Sequence, residues 1–364
     1  MTSDTLQPSP TEVSPSPTDS WRNAVAASLN LRAQEIHLIN AQQVLTGIGL
    51  RSRCLYGFTL PIAESLSNED QRPPGFFKMS LTPELTELLK SESDITVLAN
   101  NLGIPCVQIL RPFQLTSGEF GILHLEQLNG EGGEFLATDE IIAQTDRSFG
   151  ARAARAFIAI SGKTIPKDVD SSCLRRDSAR NESFETFMQV WEEKYNIIFS
   201  ETDKGLDHAL VGKFQNIVVE IRREIEPLIK KAVNPDVEYL VQNDTAPNNL
   251  FFRRDGKVLF LDLEHASATH NPFLAQLTDL ANYYGRMWPN PEMQQEFLTT
   301  YLEFSTDSLE SKYQLLKATA VFGSLYLASY GIKEGHKEHV MAESLLRNLE
   351  NNLGILKQKY ETMK

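Results

Sequence analysis

The stretch VEYLVQNDTAPNNLFFRRDGKVLFLDLEHA, from Val237 to Ala266, does most to decide the fold. Within it, the dipeptide Asp255-Gly256 separates two apolar runs, NNLFFRR and KVLFLDLE. Such a dipeptide between apolar runs is a strong signal for a two-residue type I′ turn, which needs positive φ at both central positions. The stretch therefore predicts a β-hairpin at about residues 249–262.

The register of this hairpin brings two polar side chains to its open end. If Arg254 faces Lys257, the same register places Asn249 directly opposite Asp262. Directly opposed residues have Cβ atoms about 4.5–5.5 Å apart, so an amide oxygen and a carboxylate can share one hard cation such as Mg²⁺. A three-residue turn would shift the register and remove this pairing.

A second carboxylate, Asp244, lies upstream in a polar loop that follows the apolar run Tyr239–Val241. A carboxylate near a metal site can accept a proton from a hydroxyl group that attacks a metal-bound phosphate. Asp is also a common turn residue, so Asp244 can simply form a turn and Asp262 can simply flank a strand. The spacing of the three residues favours the catalytic interpretation.

The segment QNDTAPNN, followed by LFLDLE, resembles the catalytic signature of the aminoglycoside phosphotransferase and choline/ethanolamine kinase superfamily. The fold of that superfamily is similar to the protein-kinase fold. The resemblance implies that Asp244 is the catalytic base, that Asn249 and Asp262 are metal ligands, and that Glu264 is a second acidic position there. Gln242 stands where the family usually has His.

The run PFLAQLTDLANYYG resembles the helix that follows the metal site in this family. The resemblance implies that Asp279 braces the catalytic loop.

The chain divides into a tail and two parts of different character. Residues 1–20 are rich in Ser, Thr and Pro and predict a disordered tail, because little of this segment can be buried. Residues 21–128 predict a small antiparallel-sheet lobe with one helix that starts at Thr82-Pro83, and residues 129–364 predict a larger, mainly helical lobe. Five helices are expected in the second lobe: Phe135–Ile160, Glu182–Ile197, Asp207–Ala232, Pro291–Phe304 and Leu309–Tyr330. The fold class is therefore α+β with two lobes, like that of protein kinases.

Lys78 is the lysine on a strand-like run of the first lobe, GFFKMS. The resemblance implies a strand Lys, paired with a helix Glu, that binds the nucleotide phosphates. Glu92 falls on the apolar stripe of the following helix, where a carboxylate without a partner would be costly, so Lys78 is its natural partner. The alternative is that Glu92 reaches water at the rim of the stripe and that Asp94 forms the pair.

Two further segments resemble nucleotide-binding parts of the family. Gly47 and Gly49 lie between two strand-like runs, where the family has its phosphate-covering loop, although a plain hairpin turn is the alternative. The run GILHLEQLNGEGG resembles the connector between the lobes, in which Glu126, Gln127 and Leu128 would offer main-chain groups to a nucleotide base. Backbone recognition does not separate ATP from GTP.

The composition excludes several classes of protein. With 41% hydrophobic and 23% charged residues among 364, the chain is typical of a globular protein, and three cysteines without CxxC spacing argue against a disulfide scaffold or a cysteine-built zinc site. The formal net charge of -13 disfavours nonspecific binding to nucleic acid or to anionic membranes. The first residues lack the basic and apolar regions of a signal peptide, so we expect a cytoplasmic protein.

The sequence therefore predicts a Mg²⁺-dependent kinase that transfers the γ-phosphoryl group of ATP to a hydroxyl group of a small acceptor. Choline-like amino alcohols, aminoglycosides and sugars all stay open as acceptors, and the oligomeric state is not indicated. The alternative is a pseudokinase, a nucleotide-binding interaction module without transfer activity, which Gln242 favours and the joint presence of Lys78, Asp244, Asn249 and Asp262 disfavours.

Overall fold

The computed structural model describes residues 17–39, 54–59, 75–124, 133–136, 138–174, 184–200, 208–334 and 336–364. A five-stranded antiparallel sheet comes first, and helices with two three-stranded antiparallel sheets follow. These elements agree with the predicted α+β class. Residues 125–132 lie outside the described part, so the division into two lobes at residue 128 stays a prediction.

The first sheet has the strand order β1-β2-β3-β5-β4. Its strands are β1 (Ile36–Ile39), β2 (Cys54–Thr59), β3 (Gly75–Ser80), β4 (Ile109–Gln114) and β5 (Phe120–His124). Side chains alternate across a strand, so Phe77 and Met79 of β3 share the face opposite Lys78. Both are fully buried in an apolar cluster with Val25 and Leu29. This cluster fixes the central strand that carries Lys78.

Val25 and Leu29 belong to helix α1 (Pro17–Leu29), which corrects two predictions. The expected disordered tail included residues 17–20, but these residues form the first turn of α1, and only residues 1–16 of that tail lie outside the described part. The first lobe was also predicted to contain one helix, whereas α1 is a second helix that packs on the sheet. Its buried residues supply the stabilisation that the polar segment before them lacks.

Helix α2 (Pro83–Asn101) begins as the sequence predicts. Thr82 is its N-cap in extended conformation and Pro83 is its first residue, where the missing N–H costs nothing. The helix ends before Gly103, whose φ of 73° is readily adopted by glycine. Ile95, Leu98 and other residues of α2 pack into the large core of the helical part, so α2 contacts both parts of the protein.

The hairpin forms, but its register differs from the prediction. Strands β9 (Leu250–Arg253) and β10 (Val258–Phe260) pair with Phe252 opposite Val258, one residue away from the expected partner Leu259. The cause is a three-residue turn, in which the Arg253 N–H donates to Lys257 O at 2.9 Å and Gly256 alone has positive φ, 89°. Asn249 therefore does not lie opposite Asp262.

The same sheet contains β6 (Gly133–Phe135), which pairs with β9, and the third sheet has the order β11-β8-β7. Its strands are β7 (Thr164–Ile165), β8 (Glu238–Val241) and β11 (Ser267–Thr269). Short 3-10 helices occupy Pro247–Asn249 and Leu263–His265. These elements place the residues around Asp244 and Asp262 between short strands.

The predicted helix Phe135–Ile160 is wrong, because three elements occupy it. Phe135 ends β6, and two helices follow, α3 (Asp139–Gln144) and α4 (Ser148–Ile160). The Thr138 hydroxyl accepts a hydrogen bond from the Ile141 N–H and starts α3, while Thr145 is extended and ends it. The apolar period alone did not reveal these local caps.

The remaining helices are α5 (Phe184–Ser200), α6 (His208–Ala232), α7 (Pro272–Arg286), α8 (Pro291–Phe304), α9 (Leu309–Glu334) and α10 (His336–Met363). Helices α7 and α9 approach closely at two glycines, since a Cβ on Gly285 would lie 2.7 Å from the carbonyl oxygen of Gly323. This contact holds α7, which carries Asp279, firmly in the core. Within the described ranges, every helix is too short or too polar to cross a membrane.

Candidate active site

Lys78 is the cation at the centre of the site. Its Nζ lies 2.9 Å from Glu92 Oε2, and the side chains of Lys78 and Glu92 are only 11% and 4% exposed. The ion pair predicted from the apolar stripe of α2 is therefore confirmed, while the alternative partner Asp94 is exposed. A buried carboxylate on an apolar helix face is stabilised when a cation lies beside it.

Asp262 brings a second carboxylate to the same lysine. Its Oδ1 lies 2.7 Å from Lys78 Nζ, and its side chain is 28% exposed. Asp262 follows β10 in a left-handed conformation, with φ 54° and ψ 52°, which Asp tolerates better than most residues. Lys78 thus joins strand β3, helix α2 and the segment after the hairpin.

Asp279 holds the loop that carries Asp244. Its carboxylate accepts hydrogen bonds from the main-chain N–H groups of Gln242, at 3.1 Å, and Asn243, at 2.9 Å. The Thr245 hydroxyl donates to the main-chain oxygen of Asp279 at 2.6 Å. Burial raises the pKa of Asp279 to about 7, although the two main-chain hydrogen bonds act to lower it. The structure thus places Asp279 where the resemblance implied a brace.

Asp244 and Asn249 are linked within this loop. The Asn249 side chain is buried, and its Nδ2 donates to the main-chain oxygen of Asp244 at 2.9 Å. The Asp244 carboxylate is half-buried and makes no hydrogen bond or ion pair to any described residue. A carboxylate without such partners keeps its lone pairs available to accept a proton.

In the observed register of the hairpin, Asn249 pairs with a residue next to Asp262. The Leu261 N–H donates to the main-chain oxygen of Asn249 at 2.9 Å, so Asn249 pairs with the residue immediately before Asp262. Nδ2 of Asn249 donates to the main-chain oxygen of Asp244, so the side-chain amide oxygen of Asn249 is the atom left to bind a ligand. An amide oxygen and a carboxylate are the hard donors that Mg²⁺ prefers, so these residues fit such an ion.

The described part of the chain contains no cluster of three or more His, Cys, Asp or Glu residues suited to a metal. Glu264 lies in the 3-10 helix Leu263–His265, but its side chain lies outside the described part. Its implied metal role stays a prediction.

The other predicted nucleotide-binding residues lie outside the described residues. They are Gly47, Gly49, Glu126, Gln127 and Leu128. Their implied contacts with phosphates and base stay predictions.

Sequence reasoning missed the part that Asn243 plays. Its backbone has a φ of 67°, and its side chain reaches the segment after Asp262. Asn is the residue other than glycine that most readily adopts positive φ, so its place directly before Asp244 was the available signal.

No protein-family model matches the chain, and no curated protein matches it either. Solved structures with a similar fold include an ethanolamine kinase, a choline kinase and an aminoglycoside phosphotransferase. An ethanolamine kinase from Plasmodium vivax is 13% identical with a TM-score of 0.46, and the match covers 90% of this chain and 84% of that chain. A choline kinase from Streptococcus pneumoniae is 15% identical with a TM-score of 0.46, covering 92% and 100%.

An aminoglycoside 2′-phosphotransferase-IIIa, solved as a GDP complex, is 10% identical with a TM-score of 0.49, and the match covers 95% of this chain and 99% of that chain. These likenesses, at 10–15% identity, concern the fold alone.

Proposed function

We propose that the protein is a phosphotransferase that moves the γ-phosphoryl group of ATP to a hydroxyl group of a small molecule. The observation that carries this proposal is the placement of Lys78 between Glu92 and Asp262. One ammonium held by two carboxylates from different elements has a fixed position. A lysine fixed in this way is suited to the phosphates of a nucleotide, where catalysis depends on positioning and charge neutralisation.

Asn249 and Asp262 are the residues that would hold Mg²⁺, which neutralises negative charge on the transferred phosphoryl group and the leaving diphosphate. The exposed fraction of the Asp262 side chain, 28%, leaves it accessible to such an ion. Glu92 is almost fully buried and serves to orient Lys78. We therefore assign different roles to the two carboxylates that contact Lys78, in keeping with their different exposures.

Asp244 is the proposed base. It would accept the proton of the acceptor hydroxyl while the hydroxyl oxygen forms a bond to the γ-phosphorus and the bond from that phosphorus to ADP breaks. Its half-buried carboxylate has no partner among the described residues, and Asp279 fixes the backbone on its N-terminal side. Orientation of the hydroxyl is the larger part of this role.

A nucleotide-binding module without transfer activity is the second candidate, because Gln242 replaces a residue that is usually His. Gln242 binds Asp279 through its main-chain N–H, and that bond does not depend on the side chain. The brace of the loop is therefore kept with Gln at this position. For this reason we favour the phosphotransferase, and turnover is the property that separates the two candidates.

Nucleotide binding by the Asp262→Ala variant tests the metal site. Calorimetric titration with ATP is made with Mg²⁺ and with EDTA, and GTP is titrated in parallel. We expect Mg²⁺-dependent affinity in the unmodified protein and a loss of at least about tenfold in the variant, since even outer partners of a metal ligand are typically worth that much. The matched control is Asp255→Ala, an exposed Asp in the turn of the same hairpin. Unchanged Mg²⁺-dependent affinity in Asp262→Ala would contradict the proposal.

A further inference from the structure

Asn243 connects more parts of the site than any other residue of the loop. Its main-chain N–H donates to Asp279, and its main-chain oxygen accepts a hydrogen bond from Asn282 Nδ2 at 2.9 Å. Both partners belong to helix α7. The backbone of Asn243 is thus held at both its donor and its acceptor, immediately before Asp244.

The side chain of Asn243 reaches in another direction. Its Nδ2 donates to the main-chain oxygen of His265 and to the hydroxyl of Ser267, both at 2.8 Å. These residues follow Asp262 closely, and Ser267 is fully buried in β11. One amide group therefore ties the loop that precedes Asp244 to the segment that follows Asp262.

We propose that Asn243 is a positioning residue that fixes the loop carrying Asp244 relative to the segment carrying Asp262. The inference rests on the proposed function, because it assigns the base to one of these segments and the metal ligand to the other. Phosphoryl transfer requires the attacking oxygen and the metal-bound phosphate to be aligned. Asn243 acts on that alignment through both segments and does not itself need to contact the substrates.

The chemistry of this position requires Asn in two independent ways. A φ of 67° strains most residues but is tolerated by Asn and Gly. The two hydrogen bonds need an amide with two N–H donors, which Gly lacks and which Asp replaces with an acceptor facing the His265 oxygen. Asn243→Gly therefore removes the link while keeping the backbone, and Asn243→Asp makes the contact repulsive.

The test measures kinetics and amide hydrogen exchange in the same full-length variants. For Asn243→Gly, we expect kcat to fall roughly tenfold to a hundredfold, the effect of misplacing catalytic groups by about 1 Å, while KM for ATP changes by less than about threefold. Amide exchange in residues 263–267 should rise at least about fivefold, because two hydrogen bonds are lost and one net hydrogen bond is worth about that factor. Ser267→Ala keeps the bond to His265 and should show a smaller change in both measurements.

Asn271→Ala is the matched control for a merely structural effect. Asn271 is a buried Asn that caps α7, and its side-chain amide donates to Ile229 O of α6. The Asn271→Ala variant should lower the midpoint of unfolding, but it should not lower kcat selectively while KM for ATP stays the same.

An Asn243→Gly protein with kcat within about twofold of the unmodified enzyme, or with unchanged exchange at residues 263–267, would overturn the inference. If the unmodified protein transfers no phosphoryl group with any acceptor, the proposed function fails, while the exchange measurement still decides whether Asn243 links the two segments.

Discussion

Removal of the Lys78 ammonium is the change whose effect on the unfolding free energy the structure defines best. In Lys78→Met, a side chain of similar length loses its charge, and the Glu92 carboxylate, 4% exposed, loses its cation on the apolar face of α2. Removing one partner of a buried ion pair typically costs about 3–5 kcal/mol, because the other charge stays in a low-dielectric environment. Asp262 is 28% exposed and adds less to this cost, since water can solvate it.

The double variant Lys78→Met/Glu92→Leu separates charge burial from lost packing. Both charges are gone, so most of the loss in unfolding free energy should be recovered. Lys90→Met is the matched control, because Lys90 pairs with Glu87 on the same helix but the two side chains are 45% and 75% exposed. It should cost less than about 1 kcal/mol.

Equilibrium unfolding in urea, followed by circular dichroism, measures these differences. The expected order of stability is Lys90→Met, then the double variant, then Lys78→Met. A Lys78→Met protein as stable as Lys90→Met, or a double variant no more stable than the single one, would refute the reasoning about the buried pair.

Two further predictions concern stability. The pKa of Asp279 is raised from 3.8 to about 7 by burial, so the folded protein binds this proton more tightly than the unfolded chain does. The stability that this group contributes is therefore present at low pH and is lost as the pH rises from about 4 to about 7, by up to about 4 kcal/mol, and Asp279→Asn should lack that part of the pH dependence in urea unfolding. Identical pH profiles of unfolding free energy in the unmodified protein and in Asp279→Asn would contradict this prediction. Gly256→Ala should destabilise by about 1–2 kcal/mol, because its φ of 89° strains an Ala side chain, whereas Gly212→Ala, in open space on α6, should stabilise by about 0.5–1 kcal/mol. Equal midpoints of thermal unfolding in the two glycine variants would contradict this pair of predictions.

The sequence was sufficient to predict those features of the structure that a single local rule determines. Thr82-Pro83 started α2 as predicted, and the apolar stripe of that helix identified Glu92 as the partner of Lys78. Such a prediction succeeds because helix periodicity and the cost of a buried carboxylate act within a few turns of chain.

The sequence was insufficient to predict features for which its local signals were ambiguous, weak or absent. Asp255-Gly256 is compatible with a two-residue and a three-residue turn, and only the pairing of the strands decides between them. The bridging position of Lys78 between Glu92 and Asp262 depends on contacts between distant segments, which periodicity does not reveal. Helix α10 was not predicted, although it packs on α9 and buries Leu345 and Leu349. Its alternation of apolar and charged residues gives a weak signal.

The links made by Asn243 are of the same kind. Each of its partners, Asp279, Asn282, His265 and Ser267, lies more than twenty residues away in the chain. Only the fold brings them together. The residue type was a signal for positive φ, but it did not indicate which segments the side chain connects.

The most direct test of the proposed phosphotransferase is a measurement of phosphoryl transfer by the purified full-length protein and its Asp244→Asn variant. ATP consumption is measured with Mg²⁺ across amino alcohols, aminoglycosides, macrolides, nucleosides and sugars, with Asp236→Asn, an exposed turn residue, as the matched control. We expect an acceptor-dependent rate that falls by a factor of about 10²–10⁴ in Asp244→Asn, while Mg²⁺-ATP binding and the rate of Asp236→Asn are unchanged. An acceptor-dependent rate that persists in Asp244→Asn, or Mg²⁺-ATP binding without turnover for every acceptor, would contradict it.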